Sequence, residues 1–160
     1  MFSTNQVFGS SGELWAYKKL KERGYSATMQ HDFFSQCCDL KIGNRLPVEV
    51  KISRRHSLIR RSKDGILRHY PRWIWNVSAV NAQDRVLILI AEDKANLKWP
   101  YIMPGALMAH RTAFEINTHP RQHRGMMAPF LNNWAVLDYL IERVYEDGDI
   151  SILEWQGATV

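Results

Sequence analysis

Two acids and one lysine, close together in the sequence, form the candidate reactive set of this chain. Asp39, Glu49 and Lys51 lie within residues 38–53, CDLKIGNRLPVEVKIS. The apolar residues of this stretch predict two strands, and Gly43-Asn44 predicts the turn between them because both residues tolerate positive φ. Strand side chains alternate between faces, so Glu49 and Lys51 share one face. Because charges within a buried strand are costly unless they are paired or metal-bound, this set indicates a metal site with an attached cation.

Basic residues are concentrated in the segment that directly follows this set. Residues 51–72 contain eight basic residues and a single acid, Asp64, whereas the rest of the chain has 13 basic and 15 acidic residues. The segment therefore accounts for the whole net charge of +5. A localised basic patch is typical of proteins that bind nucleic acid, although a solvated loop of charges has the same composition. The candidate DNA-binding residues are Arg54, Arg55, Arg60, Arg61 and Lys63.

The length and composition of the chain indicate one globular domain over residues 1–160. A chain of 160 residues is long enough to bury a core, and 46% hydrophobic with 23% charged residues excludes a disordered chain. No run of about 18 apolar residues occurs, so no transmembrane helix and no membrane partner are expected. The stretch MFSTNQVFGS lacks the features of a signal peptide, and adjacent Cys37 and Cys38 make no disulfide framework. A reducing, cytoplasmic location is therefore expected.

A first helix is predicted to begin at Ser10 and to end at Gly24. Ser10 and Glu13 have the spacing of a capping box, and glycine is typical of the position that follows a helix. Ala16 and Leu20 share a helical face with Glu13. Glu13 therefore has two alternative roles, in the helix cap or in the reactive site, and the sequence favours neither.

The remaining elements are short strands and one C-terminal helix. The stretch RVLILIA at 85–91 is the most hydrophobic and is predicted to be a central strand. Residues 53–71 are basic and poorly periodic, and we expect a loop or a hairpin partly ordered by a ligand. An amphipathic helix is predicted over 128–145. Its apolar stripe is Leu131, Trp134, Leu137, Ile141 and Val144. Further strands are predicted at 25–30, 73–78, 99–103 and 114–117.

A zinc site is the less favoured use of the metal-binding residue types. Cys37, Cys38, His119 and His123 supply ligands of the right kind. However, adjacent cysteines suit a tetrahedral zinc site poorly, because zinc ligands usually come as separated pairs. We therefore expect Cys38 to be a small core residue. Four tryptophans on apolar stripes are also expected in the core: Trp73, Trp75, Trp99 and Trp134.

The arrangement of these motifs resembles the PD-(D/E)XK nuclease superfamily, which has the restriction-endonuclease-like fold. The resemblance rests on a helix with Gly12-Glu13, a hairpin with Asp39 and the triplet Glu49-Val50-Lys51, within the first third of the chain. The proline of the motif is absent, since Cys38 precedes Asp39. The whole is similar to small archaeal Holliday-junction resolvases and to mobile-element or phage endonucleases. It implies an α/β fold with a mixed central β-sheet flanked by helices.

The resemblance also implies a role for each residue of the motif. Asp39 and Glu49 would be carboxylate ligands of Mg²⁺, for which Mn²⁺ can substitute, and the Val50 carbonyl would be a third ligand. Lys51 would orient or deprotonate the attacking water and stabilise charge on the phosphate. Glu13 would hold a water molecule or a second ion. The metal would lower the pKa of the water and offset charge on the phosphate.

The function that the resemblance implies is Mg²⁺-dependent hydrolysis of DNA phosphodiester bonds. The enzyme would be site-specific, as homing and restriction endonucleases are, or selective for structures such as Holliday junctions, with double-stranded or branched DNA as substrate. One domain carries one active site, so cutting both strands suggests a homodimer or tetramer. The alternative is a non-catalytic DNA-binding module on the same fold, against which the intact acid-acid-lysine set argues. An RNA nuclease has no supporting feature in the sequence.

Overall fold

The computed structural model describes residues 4–30, 38–43, 45–77, 85–108 and 111–147. Within these ranges the two α-helices are α1 (Thr4–Glu22) and α2 (Ala135–Asp147). Short 3-10 helices cover Gly105–Met108, Pro120–Gln122 and Ala128–Phe130. The strands are β1 (Ala27–Met29), β2 (Leu40–Ile42), β3 (Leu46–Arg54), β4 (His56–Arg61), β5 (Leu67–Asn76), β6 (Val86–Glu92), β7 (Lys98–Pro104) and β8 (Ala113–Ile116).

A five-stranded mixed sheet forms the centre of the molecule. Its strand order is β1-β2-β3-β6-β7, in which β3 and β6 are parallel and the other neighbours antiparallel. Strand β6, the predicted RVLILIA strand, is interior and buried from Val86 to Ala91, as a continuous apolar run predicts for a parallel strand covered on both faces. Helix α1 packs against β1 and β3, and α2 packs against β7. The predicted α/β fold, with a mixed central sheet flanked by helices, is confirmed.

The basic segment forms a regular hairpin in a second sheet. Strands β4 and β5 pair antiparallel from His56↔Arg72 to Arg61↔Leu67, and β8 pairs with the other end of β5. The predicted turn at Asp64-Gly65 lies at the tip, where Gly65 has φ of 81°. The sequence left a loop and a hairpin as alternatives for residues 53–71. The hairpin is the one that forms, and the backbone hydrogen bonds between β4 and β5 order it.

Helix α1 begins earlier than the sequence predicts. It extends over Thr4–Glu22, so Ser10 lies inside the helix and the predicted capping box with Glu13 is wrong. A tertiary contact explains the extension, because the Arg54 guanidinium of β3 lies 3.9 Å from the ring centroid of Phe8 in the early turns. The predicted end is confirmed: Gly24 has φ of 86° and donates its N–H to Lys21 O.

Gly12 allows α1 to approach β3 closely. A Cβ atom added at Gly12 would lie 2.8 Å from Cγ2 and 2.9 Å from Cβ of Ile52, closer than real Cβ contacts allow. Ala16 and Leu20, one and two turns further along the helix, are fully buried. The glycine therefore determines how closely the helix that carries Glu13 lies against the strand that carries Lys51.

The C-terminal helix begins later than predicted. Residues 128–134 are not α-helical: Ala128–Phe130 is a 3-10 helix, Leu131 bridges to Tyr101, and Asn132 has φ of 50°. The positive φ at Asn132 interrupts any helix that started at residue 128, so α2 starts at Ala135. Its buried residues are Val136, Leu137 and Leu140, and Ile141 is partly buried. The Val144 side chain lies outside the described part of the chain.

One hydrophobic cluster joins the helices to both sheets. Trp73, Trp75 and Trp134 are buried in it and Trp99 is partly buried, so the predicted core tryptophans are confirmed. The predicted strands at 25–30, 73–78, 99–103 and 114–117 correspond to β1, β5, β7 and β8, with residue 78 outside the described part. None of the described helices is both long and apolar enough to cross a membrane.

Candidate active site

The β2–β3 hairpin brings Asp39, Glu49 and Lys51 together. Asp39 directly precedes β2, and its N–H donates to Val48 O at 3.0 Å. Its carboxylate Oδ2 accepts a hydrogen bond from the Val50 N–H at 2.7 Å. The turn follows the prediction, since Gly43 has φ of 57°, whereas Asn44 lies outside the described residues. The backbone of β3 thus holds the Asp39 carboxylate beside the Glu49-Val50-Lys51 triplet.

Glu49 lies between two cations. Its Oε1 is 2.6 Å from Lys51 Nζ, and its Oε2 accepts a hydrogen bond from Arg85 Nη1 at 3.2 Å. The Arg85 side chain is only 7% exposed. Arg85 was not among the site residues predicted from the sequence, although a buried arginine at the start of the RVLILIA strand requires a partner. Because β3 and β6 are parallel and Val48 pairs with Val86, Arg85 lies beside the triplet.

The charges of this cluster shift one another's ionisation. The pKa of the Asp39 carboxyl is raised to about 6, first by burial and then by the nearby Glu49 carboxylate, while the Val50 N–H and the Lys51 ammonium oppose the rise. Burial lowers the pKa of Lys51, but the ion pair with Glu49 and the charges of Asp39 and Glu13 outweigh burial, so this pKa is raised. Neighbouring carboxylates that disfavour each other's charge are stabilised by a nearby cation.

Glu13 belongs to the same cluster, although it comes from α1. Its charge contributes to raising the pKa of both Asp39 and Lys51. Glu13 and Lys51 line one open pocket of about 580 Å³, which we call the central pocket. Three residues of the second sheet also line the central pocket: His56, Ile74 and Asn76. With the capping box excluded, membership of this charged cluster is the role that the structure supports for Glu13.

The donor set of the cluster fits a hard divalent cation. Among the described residues, no group of three or more His, Cys, Asp or Glu side chains converges on one point. Mg²⁺ does not require such a group, because it is usually held by one or two carboxylates and keeps several waters. Asp39 and Glu49 supply these two carboxylates. Val50 orients Asp39 through its N–H, and a role for its carbonyl as a ligand stays a prediction.

The predicted DNA-binding residues differ in their surroundings. Arg54 stacks on Phe8 and lies 3.7 Å from Glu92, so it is tied to the body of the protein. Arg55 is partly buried between β3 and β4. Arg60 and Arg61 are exposed on β4, and Lys63 is exposed in the turn at the tip of the hairpin. Arg60 and Arg61 are adjacent in a strand and therefore point to opposite faces.

One face of the β4–β5 hairpin carries two pairs of basic side chains, which the pair Leu58–Tyr70 separates, and one of them lies at the central pocket. Directly opposed residues of an antiparallel pair project to the same side. Arg60 opposes Arg68, and His56, which lines the central pocket, opposes Arg72. We call these four residues the basic ladder. Arg61 opposes Leu67 on the other face. Arg68 and Arg72 were not identified individually from the sequence, although strand alternation relates them to Arg60.

Two of the three arginines of the basic ladder have a carboxylate partner. Arg72 is 2.9 Å from Glu115, and Arg68 is 3.8 Å from the exposed Asp64. Like charges directly opposed in a sheet are unfavourable, so the pair Arg60–Arg68 favours the approach of an anion. The positive charge in excess of these carboxylates therefore lies at the Arg60–Arg68 pair, toward the tip of the hairpin.

The residues of the less favoured zinc set have other roles in the structure. Cys38 is buried. The His119 ring lies edge-on to Trp73 and Trp99, with centroid distances of 6.2 and 5.2 Å, and its Nδ1 accepts from the Arg121 N–H. Cys37 lies outside the described residues. The burial of Cys38 confirms the expectation that it is a core residue, and His119 packs against two tryptophans of the core.

Comparisons with known proteins identify the fold of the chain. No protein-family model matches the sequence, and no curated protein matches it. Among solved structures, the chain is similar to a bacterial homing endonuclease, I-Ssp6803I, with a TM-score of 0.60 and 16% sequence identity. The similarity covers 92% of this chain and 99% of that protein. At this identity the similarity shows a common fold, which is that of an endonuclease.

Proposed function

We propose that this protein is a metal-dependent DNA endonuclease of the PD-(D/E)XK type, which hydrolyses phosphodiester bonds inside the cell. One observation carries the proposal: the Asp39, Glu49 and Lys51 side chains meet in a hairpin beside a pocket whose rim continues into the basic ladder. The fold shared with a homing endonuclease supports the reaction class, and the site geometry supports the role of individual residues.

The proposed cofactor is Mg²⁺, for which Mn²⁺ can substitute. Asp39 and Glu49 would hold it, with the Val50 carbonyl as the expected third protein ligand. When bound, such an ion lowers the pKa of a coordinated water and offsets negative charge on the phosphate. The Val50 N–H keeps the Asp39 carboxylate oriented during this chemistry. Glu13 would hold a water molecule or a second ion at the other side of the central pocket.

Lys51 has the position of a charge-stabilising group. Its ammonium lies 2.6 Å from Glu49 and lines the central pocket. The ion pair favours the charged form, which can orient a water molecule and donate to a phosphate oxygen. We therefore assign it to stabilisation of the negative charge that grows on the phosphate. Arg85 acts through Glu49, because its guanidinium holds the second carboxylate oxygen in place.

DNA is the substrate that the charge distribution favours. A two-stranded β-ribbon fits the major groove of duplex DNA, and the β4–β5 hairpin presents its basic ladder on one face. The ladder would follow the phosphate backbone from the groove to the central pocket. Because each chain carries one such cluster, cleavage of both strands requires two copies, and we propose a homodimer or tetramer.

Cleavage of three forms of DNA tests the proposal. Supercoiled plasmid, linear duplex and a four-way junction of matched sequence are incubated with Mg²⁺, with Mn²⁺, and with EDTA as the control. We expect cleavage only with a divalent cation. Preference for the junction indicates a structure-selective enzyme, and cleavage of one duplex site indicates a site-specific enzyme. If none of the three forms of DNA is cleaved with Mg²⁺ or with Mn²⁺, the proposal that the protein is an endonuclease is wrong.

A non-catalytic DNA-binding module is the second candidate. It is favoured by one observation: both oxygens of Glu49 are engaged by cations, so a metal ion must compete with Lys51 and Arg85. Gel retardation of the same three forms of DNA, run beside the cleavage assay, separates the two candidates. A DNA-binding module would retard all forms of DNA in a gel, with or without EDTA, and would cut none of them.

A further inference from the structure

A second pocket lies between α1, β7 and the segment that precedes α2. It has a volume of about 400 Å³ and shares no lining residue with the central pocket. We call it the tryptophan pocket. Its aromatic residues are Trp15, Trp99 and Trp134. Its cationic residues are Lys19, Arg23 and Lys98. None of the nine residues that line it is acidic.

Two of the three indoles are fixed by hydrogen bonds. Trp99 Nε1 donates to Asp93 Oδ2 at 3.0 Å, and Trp134 Nε1 donates to Asn132 Oδ1 at 2.9 Å. The Arg23 guanidinium lies 4.6 Å from the Trp134 ring centroid, and the Arg121 guanidinium lies 4.6 Å from the Trp99 ring centroid, so an arginine covers part of each ring. The polar edges of these rings are satisfied within the protein, and the indole surface that the arginines leave uncovered is fixed in place for a flat ligand.

Two of the three cations of the pocket, Lys19 and Arg23, are available to an anion. Lys19 Nζ is 2.7 Å from Glu22, but both side chains are exposed, by 41% and 61%, so water screens this pair and Lys19 can exchange partners. Lys98 Nζ is 3.0 Å from Glu92, which also lies near Arg54. Lys98 and Glu92 are both largely buried, so Lys98 stays paired, and the charges of Lys19 and Arg23 beside aromatic surface are complementary to a planar, negatively charged ligand.

We propose that the tryptophan pocket binds one nucleotide, with the base against the indoles and the phosphate at Lys19 and Arg23. Its volume lies within the range of about 300–1,000 Å³ that is usual for small-molecule sites. Aromatic side chains stack on any base, and lysine and arginine bind phosphate. The nucleotide is either free in solution or an unpaired residue of a nucleic-acid strand. This site goes beyond the proposed endonuclease activity, because it shares no residue with the central pocket.

Calorimetric titration in EDTA tests the site with deoxyadenosine monophosphate as the probe. We expect it to bind at least about tenfold more tightly than deoxyadenosine or inorganic phosphate alone, since only the nucleotide contacts both parts of the pocket. The double variant Lys19→Ala, Arg23→Ala should weaken its binding by at least about tenfold. Lys18→Ala, an exposed change on the same helix outside the pocket, should leave binding unchanged.

One further ligand distinguishes the two sources of the nucleotide. A six-residue oligodeoxyadenylate that binds more tightly than the mononucleotide, and loses this gain in the double variant, identifies an unpaired strand. Equal affinity of the two identifies a free nucleotide. Absence of measurable binding, or equal loss in Lys18→Ala and the double variant, would overturn the proposal. Because no divalent cation is present, such a result leaves the endonuclease proposal unaffected.

Discussion

Glu49 and Asp39 share a small, partly buried volume with Lys51 and Arg85, and their charges are distributed unevenly. Glu49 contacts both cations, whereas Asp39 receives a single backbone N–H and has its pKa raised to about 6. At the scale of single residues, Asp39 is therefore the carboxylate with the greater deficit of positive charge. A divalent cation would supply that charge, and removal of either carboxylate would remove a ligand.

Replacement of either carboxylate by its amide should separate binding from cleavage. Asp39→Asn or Glu49→Gln should abolish cleavage and leave DNA binding intact or tighter, since repulsion between carboxylates and phosphate decreases. Glu142→Gln, an exposed acid on α2, is the matched control. Plasmid nicking and gel retardation measure the two properties separately. Turnover at the wild-type rate in either amide variant would show that these residues are not metal ligands.

The ammonium group of Lys51 is expected to act in the chemical step. Lys51→Ala should lower the cleavage rate by at least about a hundredfold, which is the scale of one electrostatic contact made in the transition state. Binding of Mn²⁺, followed by calorimetry, should survive because an ammonium is not a metal ligand. Lys94→Ala, an exposed change in the turn before β7, should cut normally. If Lys51→Ala also cuts normally, Lys51 is only a partner of Glu49.

The relation between α1 and β3 decides whether Glu13 and Lys51 share a pocket. Gly12 packs against Ile52 without space for a Cβ atom, and Phe8 packs under Arg54. The C-terminal end of α1 is tied to α2, because the Tyr25 hydroxyl donates to Asp138 Oδ1 at 2.5 Å. At the scale of elements, α1 is thus positioned at both ends by contacts that are distant in sequence.

Two glycines of α1 should respond in opposite directions to alanine. Gly12→Ala should destabilise the protein by about 1–2 kcal/mol, because the cost of overpacking against Ile52 exceeds the gain in helix propensity. Gly9→Ala is the matched control, since an added Cβ meets nothing within 4 Å. It should stabilise by up to about 1 kcal/mol. Urea unfolding measures both. Equal effects would mean that α1 does not pack closely on β3.

The contact between Tyr25 and α2 should make stability dependent on alkaline pH. Burial, followed by the hydrogen bond to Asp138, raises the pKa of Tyr25 to about 12 from an ordinary value of about 10. Between these values the folded chain retains a proton that the unfolded chain has lost, so the free energy of unfolding falls as pH rises. Tyr25→Phe should make this decrease shallower.

The tyrosine variant has a second expected effect and a matched control. At neutral pH, Tyr25→Phe should lower the free energy of unfolding by about 1 kcal/mol, because the hydrogen bond to Asp138 is lost. The loss stays small because Asp138 is exposed and water screens its charge. Tyr70→Phe, on the hairpin, makes the same chemical change away from α2. Urea unfolding at pH 7 and at several values between about 10 and 12 compares both with the wild type. Parallel pH profiles for all three proteins would exclude the assigned role of Tyr25.

The excess positive charge of the whole molecule resides in one segment of the chain. Residues 51–72 carry the excess, and β4–β5 presents Arg60 and Arg68 on the face that continues to His56 and the central pocket. Arg61 points to the opposite face with Leu67. At the scale of the molecule, DNA should therefore approach along the basic ladder, and arginines adjacent in sequence should contribute unequally.

Salt dependence of DNA affinity should separate the two faces of the hairpin. Arg60→Gln with Arg68→Gln should weaken binding and flatten the slope of log K against log salt by about 0.9 for each lost phosphate contact. Arg61→Gln should change the slope of log K against log salt by less than half of the change in the double variant. A loss confined to one DNA sequence would mean that the ladder reads bases. An unchanged slope in the double variant would mean that the DNA path lies elsewhere on the protein.

The local pattern of the sequence determined the part of the site that lies within one hairpin. Strand alternation and a turn at Gly43 suffice to place Glu49 and Lys51 on one face and to bring the start of the first strand, with Asp39, back beside them, because these residues are close in the chain. The same reasoning located β6 from its apolar run and the end of α1 from Gly24. Each of these features depends on interactions between residues that are near one another in sequence.

Only the tertiary structure decided the features that depend on residues far apart in the chain. The Arg85 contact with Glu49 requires the parallel pairing of β3 with β6, which no local pattern specifies. The early start of α1 and the late start of α2 were mispredicted because Phe8 packs on Arg54 and Leu131 pairs with Tyr101. Long-range packing outweighs helix propensities and caps, whose individual contributions are only about 1 kcal/mol.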